Sequence, residues 1–168
     1  MTYLDDIVTY IATAQPEAPP TAWGAVRAAV DGIREHAPEA NPELAYSVGC
    51  AVAERVAAVL DSTAAADGWS RPGVAGVIGA GAAVGRMMGL DDGELRHLIG
   101  LCATQATGLR RLDGTAAGDL QIEKAAADAV EAALLVSNGF TSSADGLTGR
   151  RGLFALMAPG ATGVDRGE

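Results

Sequence analysis

The sequence predicts an all-α bundle. Apolar residues recur with the 3.6-residue helical period almost throughout, and no window alternates with a period of two for more than a few residues. Residues that start and stop helices bracket the periodic stretches.

Taken in order, Tyr3 to Ala14 and Thr21 to Glu35 read as two shorter helices, separated by Pro16, Pro19 and Pro20, which lack the N–H that a helix interior needs. Asn41 is a good N-cap and Pro42 fits the first helical position. The helix they begin carries Leu44, Val48, Val52, Val56, Val59 and Leu60 on one stripe. Residues 74–88 repeat the pattern with Val74, Val77, Ile78, Gly81, Val84 and Met88, and Gly89 reads as the left-handed stop. Asp91 and Glu94 have capping-box spacing before Leu95, Leu98, Ile99, Cys102 and Ala106, which point inward, and Gly108 ends that segment. From Ala117 to Asn138, Ile122, Ala126, Val130, Ala133 and Leu134 share one side, with Gly139 as the stop. One helical domain is expected over residues 1–158, followed by a flexible, glycine-rich tail over 159–168.

The segment 73–89 has an unusual content. Gly73, Gly76, Gly79, Gly81 and Gly85 each cost about 1 kcal/mol against alanine inside a helix. Such a helix is stable where the missing side chains let neighbouring backbones come close, so it is expected at the centre of the bundle. A dinucleotide-binding fingerprint would need a strand before the glycines and an acidic residue at a later strand end, and neither is present.

Composition narrows the function. The 168 residues hold 12 Lys+Arg against 21 Asp+Glu, a net charge of −9. That balance argues against general nucleic-acid binding, which needs a basic face for phosphates. No apolar run approaches the roughly 20 residues of a bilayer span, and no signal peptide is evident, so a soluble cytoplasmic protein is expected. Cys50, Cys102, His36 and His97 lack metal-site spacing, and no metal is expected. Two small buried thiols are the plain reading of the cysteines, with a bridge between them left open.

Charge is also uneven. Residues 1–67 carry three basic and ten acidic groups, whereas residues 68–168 carry nine and eleven. Arg71, Arg110, Arg111, Arg150 and Arg151 lie beside turn-forming residues. Guanidinium groups on loops can hold a small carboxylate or phosphate in bidentate fashion. They can equally be solvated helix ends.

Three glycine-bearing blocks join the predicted helices. The first is Gly68-Trp69-Ser70-Arg71-Pro72-Gly73-Val74-Ala75-Gly76, and the second runs from Gly114-Thr115-Ala116-Ala117-Gly118-Asp119-Leu120-Gln121 to Ala126. The third is Gly139-Phe140-Thr141 followed by Asp145-Gly146-Leu147-Thr148-Gly149-Arg150-Arg151-Gly152-Leu153-Phe154. In this order, with Gly89-Leu90 and Gln105-Ala106-Thr107-Gly108-Leu109 between them, the blocks resemble the MmgE/PrpD family of 2-methylcitrate dehydratases, cis-aconitate decarboxylases and iminodisuccinate epimerases. The resemblance covers about Gly68 to Met157, and more loosely Ile7–Ile33 and Ala40–Leu60. It implies part of an all-helical domain that also makes the family's dimer, without the Asp/His-rich substrate stretch and the α/β lid. A homodimer, or a complex with a longer family member, is therefore expected.

The departures from the family pattern bear on chemistry. The family has a histidine where this chain has Ser70, and a Pro-Thr pair where it has Arg71-Pro72. It has a lysine, a proline and a histidine where this chain has Gly118, Asp119 and Gln121. The family removes a proton beside a carboxylate, or the carboxylate itself, which needs a base and a cationic anchor and implies no cofactor. Serine without a neighbouring base does not replace an imidazole titrating near neutrality. Replacement groups lie close by: Asp119 as base, with Arg71 and Lys124, the only lysine, orienting an anionic or carbonyl-bearing substrate. Trp69, Ser70, Thr115 and Gln121 would line the substrate. This gives a lyase- or isomerase-like enzyme of specialised metabolism, catalysing dehydration, isomerisation or cyclisation. Against it stands a non-catalytic subunit in which Asp119 merely caps the helix near Leu120 and Arg71 and Lys124 pair with surface acids.

Overall fold

The computed structural model describes residues 2–17, 19, 21–162 and 164. It contains α1 (Tyr3–Thr13), α2 (Gly24–Ile33), α3 (Pro42–Asp61), α4 (Arg71–Met88), α5 (Asp92–Gln105), α6 (Ala116–Ser137) and α7 (Leu153–Met157). Short 3-10 turns occur at Arg34–His36, Ala64–Ala66 and Arg110–Leu112. Among the described residues the only β pairing is an isolated antiparallel bridge between Trp69 and Leu109. The fold is all-α.

The helix starts follow local chemistry. Thr2 and Asp5 form a capping box on α1, and Asp91 and Glu94 form one on α5. Asn41 accepts from the Leu44 N–H, with Pro42 in the first turn of α3. Gly89, at φ 64°, closes α4 in the left-handed conformation. Some helix limits differ from expectation: α2 begins at Gly24 rather than Thr21 and ends at Ile33 rather than Glu35. α5 ends at Gln105 because Ala106 is already extended, so Gly108 lies beyond the helix rather than at its stop. The short α7 carries too few residues to announce a period.

α4 runs through the middle of the bundle. Every residue from Gly73 to Gly85 is buried, and α3, α6, α2 and α5 pack around it. Its glycines face different neighbours. A Cβ on Gly79 would lie 2.6 Å from the Gly49 carbonyl oxygen, and one on Gly49 would lie 2.6 Å from that of Gly79, so α3 and α4 cross backbone to backbone. A Cβ on Gly76 would press on Ala25 of α2 at 3.2 Å. Toward α5, Gly81 admits the Cys102 sulfur and Gly85 admits Leu95 and Leu98. The five glycines together cost about 5 kcal/mol of helix propensity, which the packing on four sides offsets.

α6 corrects the sequence reading. Its buried face is Ala125, Ala126, Ala129, Ala132, Ala133 and Val136 with Asp128, while Ile122, Val130 and Leu134 are only half-buried. A helix packed against the small residues of α4 sits too close for large side chains, which move to its flanks. Cys50 and Cys102 are both buried free thiols. Residues 163 and 165–168 of the expected tail lie outside the described residues. Its beginning is fastened to the end of α3: the Thr63 hydroxyl donates to the Pro159 carbonyl at 3.2 Å, and the Thr162 N–H donates to the Ser62 hydroxyl at 3.2 Å. No helix among the described residues is long and apolar enough to cross a membrane.

Candidate functional site

The first two glycine-bearing blocks meet at one end of the bundle, where α4 and α6 begin and α5 has ended. The Ser70 N–H donates to the Gly108 carbonyl and the Arg110 N–H to the Gly68 carbonyl, both at 3.0 Å, which sets Trp69 opposite Leu109. Ser70 is fully buried. Its hydroxyl donates to Asp113 Oδ1 at 2.6 Å and accepts the Gly73 N–H at 3.3 Å as the N-cap of α4. The Thr115 hydroxyl donates to the Leu112 carbonyl at 2.6 Å and accepts the Gly118 N–H at 3.2 Å, so Thr115 caps α6. Gln121 Oε1 accepts the Leu109 N–H at 2.7 Å, while its buried Nε2 has no partner among the described residues.

Glycine makes this junction possible. A Cβ on Gly73 would run into the Thr107 carbonyl oxygen, and one on Gly118 into that of Leu112. A Cβ on Gly108 would lie 3.0 Å from that of Ser70 and 3.3 Å from the Gln121 amide carbon. Both blocks therefore pack closely on the connecting segment 107–113, through backbone at Gly73 and Gly118.

Ser70, Thr115 and Gln121 are thus brought together, with Trp69 half-buried beside them. The base and its two cations are not joined in the same way. Arg71 turns back toward α3: its Nε donates to Asp61 Oδ1 at 2.6 Å, and its terminal nitrogen donates to the carbonyls of Ala66 at 2.9 Å and Trp69 at 3.2 Å. Only 16% of that side chain is exposed, so the guanidinium is held by this ring of acceptors. Lys124 Nζ lies 2.7 Å from both carboxylate oxygens of Asp128, one helical turn on. Asp119 is exposed in the first turn of α6 and makes no ion pair among the described residues. It does not cap the helix; Thr115 does, four residues earlier, and the helix begins at Ala116.

Two of the loop arginines face acids on the segment that follows α3 or on its end. Arg110 lies 3.6 Å from Asp67, and Arg71 is committed to Asp61. Arg151 lines a separate cavity of about 500 Å³ between α5 and the third block, with hydroxyls from Thr104, Thr141 and Ser142 and apolar walls from Leu101 and Leu156. The loop forming it is pinned by His97, whose Nδ1 lies 3.0 Å from the Ser142 carbonyl oxygen and whose own carbonyl accepts the Ser142 hydroxyl at 2.8 Å. Sequence reasoning passed over Asp113, the acceptor for Ser70. Its only signal was an Asp-Gly turn two residues before the Thr115 cap. Among the described residues no group of three or more His, Cys, Asp or Glu side chains could hold a metal ion.

Comparison with known proteins agrees with the fold and with the order of the blocks. No curated protein matches the chain. The family model for the MmgE/PrpD N-terminal domain matches residues 4–163, extending the resemblance beyond the three blocks at both ends. Among the described residues the match takes in every helix, α1 from its second residue, and both sides of the capped junction, and the chain belongs to the MmgE/PrpD family.

Proposed function

We propose that this chain acts as a non-catalytic MmgE/PrpD helical subunit that works by binding a longer member of its family. One observation carries the reading: the backbone of Leu112 and Asp113 fills the space that any side chain at Gly118 would need. That is the position where the resemblance implies an anchoring lysine. Ser70, standing for the family's histidine, is spent on capping α4 and on Asp113. Arg71 and Lys124 are each paired with an acid. Light scattering of the chain alone, and mixed with a full-length MmgE/PrpD protein of the same organism, tests this. A defined mixed complex is expected; turnover of a di- or tricarboxylate by the chain alone overturns it.

A second reading keeps a lyase- or isomerase-like reaction on a small carboxylate or carbonyl compound. It is favoured by the exposed Asp119, which makes no ion pair among the described residues, and, separately, by the Arg151 cavity, which has the size and polarity for a small anion. In that case Asp119→Asn and Arg71→Ala each reduce turnover of the substrate. Equal rates in both variants exclude those roles.

A further inference from the structure

Alanine on the inner face of α6 leaves the larger apolar residues of that helix outside. Leu120 and Leu135 are exposed, at 64% and 38%, and Val130 and Leu134 are half-buried. α2 lies alongside with Ala28 and Gly32, small enough that a Cβ on Gly32 would come within 3.7 Å of Val130. Large side chains on one helix and small ones on the other leave a groove of about 720 Å³ between them. Its floor is apolar and its charged members are Glu123 and Glu131. These glutamates are eight positions apart, about 12 Å along the helix axis. Both are exposed, and neither is within ion-pair distance of a Lys or Arg among the described residues.

The charge pattern selects the occupant. A second copy docking α6 antiparallel on α6 would set Glu123 against Glu131 of its partner twice over, between two chains of net charge −9. Juxtaposed like charges are costly at an interface. The geometry points to a helix of a different chain: amphipathic, with an apolar seam lying in the α2–α6 groove and Lys or Arg about two turns apart facing Glu123 and Glu131. This rests on the partner-subunit reading and adds the surface and the chemistry of the partner.

Two fluorescent synthetic amphipathic helices with the same leucine seam, one flanked by lysines and one by glutamates, test the groove on the intact chain by anisotropy. The lysine-flanked helix is expected to bind about tenfold more tightly. The Glu123→Lys/Glu131→Lys variant inverts that preference, and Leu135→Asp, at an exposed position, weakens both. Equal binding of the two helices, or a preference unchanged in the double variant, overturns the inference. So does a wild-type dimer that Leu135→Asp dissociates, since the groove is then filled by a second copy. The same double variant, mixed with a longer family member, separates the two claims. A complex indifferent to it removes the groove and leaves the subunit reading standing. Retained helix preference without any family complex does the reverse.

Discussion

Ser70 and Asp113, 43 positions apart, are joined by a 2.6 Å hydrogen bond in which the serine hydroxyl donates. The same hydroxyl accepts the Gly73 N–H, so one side chain both starts α4 and ties it to the turn before α6. Ser70→Ala removes the cap and leaves the Asp113 carboxylate without its donor. A loss of about 1–2 kcal/mol is expected, read as a lower urea midpoint at unchanged slope. Ser70→His must also fit a ring beside Gly108, whose Cβ position is only 3.0 Å from that of Ser70. It is expected to destabilise more than alanine does.

Gly118 gives a prediction whose sign decides between two effects. In a helix interior, glycine to alanine ordinarily gains about 1 kcal/mol. Here the new methyl would meet the Leu112 carbonyl oxygen and lie 3.2 Å from Asp113 Cα, both backbone atoms that cannot rotate away. Gly118→Ala should therefore lower stability by about 1–3 kcal/mol, the usual range for overpacking. Gly118→Lys should behave at least as badly. A thermal melt showing Gly118→Ala more stable than wild type contradicts the closed junction.

What the sequence makes legible is what is encoded locally. Asn41-Pro42, Asp91 with Glu94, Gly89 and Gly139 set helix limits by their own hydrogen bonds or backbone angles, and each stands at the limit it signals. The central place of α4 is also readable, since five glycines in one helix need close neighbours. The inward face of α6 is not. Ile122, Val130 and Leu134 satisfy the helical period as well as the alanines do, and only the closeness of α4 selects the alanines. The pairing of Arg71 is hidden for a related reason. Arg71 turns toward Asp61, ten residues back on another helix, and nothing in its own block encodes that. The Lys124–Asp128 pair, by contrast, has the one-turn spacing that a sequence shows.

The two thiols provide a chemical check on the packing. Cys102 is buried against Gly81, and burial pushes its thiol up to about 12, with the nearby Asp128 carboxylate adding to the shift. Burial also raises the Cys50 thiol. The thiolate is the reactive form. Neither cysteine should therefore react with a chromogenic disulfide reagent at mildly alkaline pH while the chain is folded, and both should react in denaturant. One rapid equivalent in the native protein would show that α3 or α5 is packed more loosely than described.

Asp5 on the first helix contributes to acid stability. The Asp5 carboxylate accepts the Thr2 N–H and the Arg96 guanidinium, both at 2.7 Å. These bonds, the backbone one first, hold its pKa at about 2, against an ordinary value of 3.8. The folded value is the lower one, so the unfolded chain takes up the proton first as pH falls. The stabilisation is complete above pH 3.8 and drains away as pH drops toward 2. Asp5→Asn lacks the charge at every pH. Urea midpoints of wild type and variant should therefore differ at neutral pH and converge as pH falls through that window. Curves that stay parallel down to the acid limit would mean that the α1 capping box and its bridge to α5 are not formed in solution.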